Sequence, residues 1–120
     1  MSDASVLVVD DEPLIRATVC EMLDMAGYRA SSAANGAEAL ALLQTSPMDI
    51  ILLDMRMPVL DGWGFAREVR ERGIQVKIIV MTAARDAQAW ATEIAAHGSL
   101  PKPFRMDDLL SVIDEVRATD

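Results

Sequence analysis

The sequence predicts an α/β domain built on an open, doubly wound parallel sheet, and three observations lead there. Short β-branched runs alternate with helix-length segments along the whole chain. The runs Val6–Val9, Ile50–Leu53 and Ile78–Met81 are nearly continuous in apolar residues rather than alternating, the pattern of strands covered on both faces. No repeat, linker or low-complexity stretch interrupts the order, so five βα units in sequence imply one sheet with helices on both sides. The 120 residues are expected to form one domain, residues 1–120, large enough for an ordinary core.

Each element follows from local chemistry. The first strand ends at "VVDDEP", where Pro13 suits a first helical position. Ile15, Val19, Met22, Leu23 and Ala26 then share a face that stops at Gly27. "YRASSA" from Tyr28 is a weaker strand, expected near an edge. Asn35-Gly36 opens the second helix, which Pro47 ends. Strand three is "DIILLD". Asp61 is the expected cap of a helix carrying Phe65 and Val69 and closed by Gly73. Strand four is "KIIVMT". Asp86 is the expected cap of the fourth helix, which carries Trp90 and Ile94. Ser99–Pro101 is a very short last strand, and Pro101 there requires an edge or a strand end. The last helix has Asp107 and Asp108 in its first turn, where its dipole favours them.

Composition narrows the function. Hydrophobic residues make up 52% of the chain but aromatics only 4%, so the core is aliphatic. A formal net charge of -8 argues against direct contact with nucleic acid or an anionic membrane. A single cysteine, Cys20, excludes an internal disulfide and fits a reducing cytoplasm. No apolar run approaches the length of a membrane span, and "MSDAS" carries no export signal.

Sheets of this kind place their sites beyond the carboxyl ends of the strands. Strand one delivers Asp10, Asp11 and Glu12 there, strand three Asp54, strand four Thr82, and the last strand Lys102. Converging carboxylates repel, and one must hold a proton unless a cation is present. Oxygen-only donors select a hard ion, so the acidic cluster is read as a divalent-cation site that suits Mg²⁺ with waters completing its shell. With Lys102 and Thr82 beside it, such a site suits a phosphoryl group. Asp54, alone at the end of a central apolar strand, is placed to attack phosphorus. A phosphate-cradling loop for a flavin would need Gly, Ser or Thr after strand one, and "DDEP" offers none.

"VVDDEP", "LLDMRMPVLDG", "VMTA" and "KPF", in this order over almost the whole chain, resemble the receiver domain of bacterial two-component response regulators. The resemblance implies a flavodoxin-like (βα)5 fold with strand order 2-1-3-4-5. It also implies phosphotransfer from a phosphohistidine on a sensor histidine kinase or phosphotransfer protein. By position, Asp54 matches the phosphoacceptor, Asp11 a direct Mg²⁺ ligand, and Asp10 a supporting acid. Arg56 holds the place whose backbone carbonyl ligates the metal. Thr82 and Lys102 match the switch hydroxyl and the phosphate-pairing cation. Lys102-Pro103 matches a pair whose peptide bond is usually cis, and Pro58 and Gly62 match the loop after the acceptor, Gly62 for an unusual φ. The expected role is a signalling switch of the α4–β5–α5 surface, not an enzyme beyond its own phosphorylation and dephosphorylation. A downstream output domain or target is the expected recipient of the signal, and the face of helices four and five is the candidate surface for a homodimer. Trp90 lies on that output side.

Two departures stand out. Ser99 occupies the position, three before the lysine, where receivers usually carry an aromatic switch residue. The segment from Ala83 to Pro101 is also slightly short for the family, so helix four is expected to be shortened, displaced or mobile. These features leave room for an alternative, a pseudo-receiver that binds partners without phosphorylation switching.

Overall fold

A computed structural model describes residues 4–118; the N-terminal Met1–Asp3, on which part of the no-export reading rests, lie outside the described residues. The order is β1 (Ser5–Val9), α1 (Pro13–Met25), β2 (Arg29–Ala33), α2 (Gly36–Thr45) and β3 (Ile50–Leu53). It continues with α3 (Gly62–Glu71), β4 (Lys77–Ala83), α4 (Ala84–Glu93), β5 (Gly98–Lys102) and α5 (Met106–Ala118). All strand pairs are parallel, in the order β2-β1-β3-β4-β5. The expected fold is the one observed.

The continuous apolar runs are explained by two cores. Leu7, Val9, Ile51, Leu53 and Val80 face one side, with Phe65 and Val69 of α3 and Ala91 of α4. Val6, Val8, Ile50, Leu52, Ile79 and Met81 face the other, with Val19 and Leu23 of α1 and Leu109 and Ile113 of α5. Successive side chains of a strand point to opposite faces, so only a sheet buried on both sides requires every position to be apolar. Edge strand β2 is half-exposed and correspondingly polar, RASSA.

Helix ends follow their sequence signals with one exception. Asn35 accepts a hydrogen bond from the Glu38 backbone N–H while the Glu38 carboxylate accepts from the Ala34 N–H, a reciprocal box. Asp61 caps α3 through the Gly64 N–H at 2.9 Å. Asp86, expected to cap α4, lies in its first turn instead; the helix begins at Ala84, directly after β4, and has no side-chain cap. No residue connects strand to helix, so the cap position falls on Ala83. α4 itself has ten residues, as many as α2 and α3.

β4 runs one residue beyond the expected "KIIVMT", to Ala83, and Thr82 is buried within the strand. β5 also extends to Lys102, with Pro101 on the sheet edge opposite Thr82.

Candidate functional site

The carboxyl ends of β1, β3, β4 and β5 gather the charged residues. The Asp54 N–H donates to the Val9 carbonyl and the Asp10 N–H to the Ala33 carbonyl, extending the ladders one step past the strands. Those bonds leave both acids at the rim, Asp10 fully buried and Asp54 nearly so, while Asp11 is exposed. One carboxylate oxygen from each of Asp10, Asp11 and Asp54 lies within 4.8 Å of the others.

Each acid has a different environment. Asp10 Oδ1 accepts from the Glu12 N–H at 2.9 Å and Oδ2 from Lys102 Nζ at 2.7 Å. Both its oxygens are engaged, which suits a supporting acid. Lys102 Nζ is 3.9 Å from Asp54 Oδ1, so the lysine bridges the two buried acids. Burial pushes the Asp54 carboxyl up to about 6, with Asp10 and Asp11 adding to the rise; Lys102 and a hydrogen bond from the Arg56 N–H oppose it. Asp11 is left facing solvent at the mouth.

Three hard oxygen donors against one ammonium leave excess negative charge, and that donor set fits Mg²⁺ completed by water. The site opens into a cleft of about 690 Å³ whose lining includes Asp11, Asp54, Arg56 and Lys102 on the polar side and Leu14 and Phe104 on the apolar side.

The neighbouring loop departs from expectation. Gly62 does not adopt a positive φ; that conformation falls on Val59, at 73°, directly after Pro58. Gly62 is needed for space, because a Cβ there would lie 2.4 Å from Met55 Sδ and 2.7 Å from Met55 Cα. The Gly62 N–H bonds the Met55 carbonyl at 2.9 Å, so helix α3 is pressed onto the residue that follows Asp54. The Lys102-Pro103 bond is cis, as the resemblance implies.

Other singled-out residues lie outside the acidic cluster. Ser99 is half-buried in β5, its hydroxyl 3.5 Å from Gln88 Oε1 of α4. Trp90 packs edge-on to Trp63 with 5.0 Å between ring centroids, and the Arg56 guanidinium lies 5.0 Å from the Trp90 centroid. His97 is exposed, and its Nδ1 accepts from the Ile78 N–H; burial and Lys77 lower its pKa. Cys20 is half-buried and its thiol pKa is raised, chiefly by burial. Sequence reasoning missed Arg16, which donates to the Asp10 carbonyl at 2.8 Å. A cation one turn into a helix that follows three acids was the available signal. It also missed the Arg56–Trp90–Trp63 stack, whose members are separated in sequence and carry no local signature.

An acidic rim with a bridging lysine, on a parallel sheet of order 2-1-3-4-5, defines a two-component signalling module. The response regulator receiver domain family matches residues 6–114, and the chain belongs to it. It is 41% identical over 112 residues to the positive alginate biosynthesis regulatory protein of Pseudomonas aeruginosa, covering 91% of this chain and 45% of that protein. The chain spans about half the length of this curated relative. Among solved structures it resembles the chemotaxis response regulator CheY4 of Vibrio cholerae, with a TM-score of 0.86, 36% identity, and coverage of 95% of this chain and 98% of that one. It also resembles the response regulator TrrA of Thermotoga maritima in complex with Mg²⁺-BeF, with a TM-score of 0.83, 32% identity, and coverage of 94% and 98%. Among the described residues, no helix is long and apolar enough to cross a membrane.

Proposed function

We propose that this receiver accepts a phosphoryl group on Asp54 from the phosphohistidine of a sensor kinase or phosphotransfer protein, and that the adduct switches the α4–β5–α5 surface. One observation carries the reading: Asp54 is shielded, opens into the cleft, and has Lys102 3.9 Å away, which makes it the acid equipped to take an anionic group. An Asp54 carboxylate oxygen attacks phosphorus as the P–N bond breaks. The imidazole leaves with the electron pair of that bond, and Asp54 becomes an acyl phosphate. Lys102 then pairs with a phosphoryl oxygen, and Thr82, at the rim end of β4, supplies a hydroxyl donor. Water attack on phosphorus later restores the carboxylate and releases phosphate.

Asp11 and Asp54, with the Arg56 carbonyl and support from Asp10, would hold Mg²⁺. When bound, the ion offsets the carboxylates and polarises the phosphoryl oxygens. The apolar wall that includes Leu14 and Phe104 suits a partner helix carrying the histidine. No other catalysis is assigned. The net charge of -8 leaves nucleic acid and membrane to other modules, and the lone cysteine fits a cytoplasmic setting. Since the relative named above is a regulatory protein about twice as long, an output domain or a target protein is the proposed recipient, and the α4 and α5 face the proposed homodimer surface.

Incubation with acetyl phosphate and Mg²⁺ tests the chemistry by intact mass. The wild type should gain one phosphoryl group, and Asp54→Asn or a chelator should abolish the gain. An unmodified wild-type mass under these conditions would favour a pseudo-receiver.

A further inference from the structure

We propose that the Arg56 side chain is a two-position cation: it rests on the Trp90 ring while Asp54 is free and moves onto the phosphoryl oxygens once Asp54 is modified, removing the cation from the Trp63–Trp90 pair that joins α3 to α4. The inference rests on the reading of Asp54 as phosphoacceptor.

Arg56 sits between two competing partners. It follows Asp54 by two positions and lines the same cleft as Asp54 and Lys102. Its guanidinium instead lies over Trp90 of α4, 5.0 Å from the ring centroid. Arg56 is exposed, so rotation of its side chain disturbs no core packing. Lys102 Nζ lies 2.7 Å from Asp10 and 3.9 Å from Asp54, and with Asp10, Asp11 and a phosphoryl dianion gathered there the site stays net negative even with that lysine and Mg²⁺ in place, so a further cation is favoured. A guanidinium on a half-buried ring is held by a cation–π contact alone, whereas a phosphoryl group offers it two parallel charge-assisted hydrogen bonds. The added charge therefore shifts the preference.

What Arg56 leaves behind is a joint between helices. Trp90 packs edge-on against Trp63 of α3 at 5.0 Å, and Trp63 Nε1 donates to Glu93 of α4 at 2.8 Å. α4 joins β4 without a connecting residue, next to the buried Thr82, and Ser99 offers no aromatic ring on the β5 side. The stack thus supplies an aromatic contact between the acceptor loop and α4, on the α3 side of that helix.

The test follows the two indole Nε1–H resonances in the ¹⁵N-labelled chain, assigned with Trp63→Phe, before and after Mg²⁺ and beryllofluoride. Arg56→Gln is compared, and intact mass after acetyl phosphate is measured in parallel. Wild type should form the adduct, and its Trp90 resonance should shift on beryllofluoride binding. In Arg56→Gln, with site occupancy followed by the Asp54 amide, the free-state Trp90 resonance should already be displaced, and the further shift should fall at least several-fold. An adduct with an unmoved wild-type Trp90 signal, or an equal shift in Arg56→Gln, overturns the inference alone. Absence of any adduct overturns the phosphoacceptor reading and this inference with it.

Discussion

Burial sets an electrostatic penalty on the Asp54 carboxylate. Its carboxyl is raised from 3.8 to about 6, first by burial. Below about pH 4 the folded and unfolded chains both hold this proton. Between about pH 4 and pH 6 the folded chain keeps it while the unfolded chain loses it, so stability falls as pH rises through that window. Two pH units correspond to about 3 kcal/mol in a dry site, and with water at the cleft mouth screening part of the effect about 1–2 kcal/mol is expected. Asp54→Asn should remove this dependence and, without divalent cation, stabilise the protein at pH 7 by a similar amount. Urea titrations at pH 4.5 and pH 7 measure it, and an unchanged slope in the variant would contradict the assignment. Val59 is a second strained residue, β-branched, 81% exposed and at a φ of 73°. Relief of the left-handed conformation outweighs glycine's extra unfolded-state entropy, so Val59→Gly should raise stability by about 1 kcal/mol in the same assay.

Three helices end with one device. After α1, the Gly27 and Tyr28 N–H groups bond the carbonyls of Asp24 and Leu23. After α3, Gly73 and Ile74 bond Arg70 and Val69, and after α4, Ala95 and Ala96 bond Thr92 and Ala91. This Schellman arrangement needs a left-handed residue, which Gly27 and Gly73 supply at no steric cost. At α4 it is Ala95, at a φ of 54°. Ala95→Gly should therefore stabilise the chain by about 0.5–1 kcal/mol, read as a rise in thermal midpoint; a loss would mean the end of α4 is held differently. The contrast explains what was legible at this scale. Gly27 and Gly73 announced their helix ends, whereas Ala95 carries no such sign. Asp86 looked like a cap because its residue type is right, but the direct passage from β4 into α4 moved the boundary upstream.

Over the whole molecule, the sheet divides the interior into two cores, and a deep truncation in either should unfold the domain as a unit. Phe65 is fully buried in the core on the α3 side. Phe65→Ala should cost about 3–5 kcal/mol, visible as a lowered denaturation midpoint by circular dichroism. A loss below 1 kcal/mol would show that this side of the sheet is loosely packed.

The sequence by itself determined the fold class, the strand order through its family resemblance, and the set of polar residues at the strand ends. Those depend on local chemistry: apolar periodicity, turn residues, and the side to which a strand delivers its last side chain. Tertiary structure decided which acid is shielded, that Lys102 pairs with Asp10 92 positions away, and where the Arg56 guanidinium rests. Desolvation and pairing depend on distances across crossovers that bring separate strand ends together, and no single stretch of chain encodes those distances.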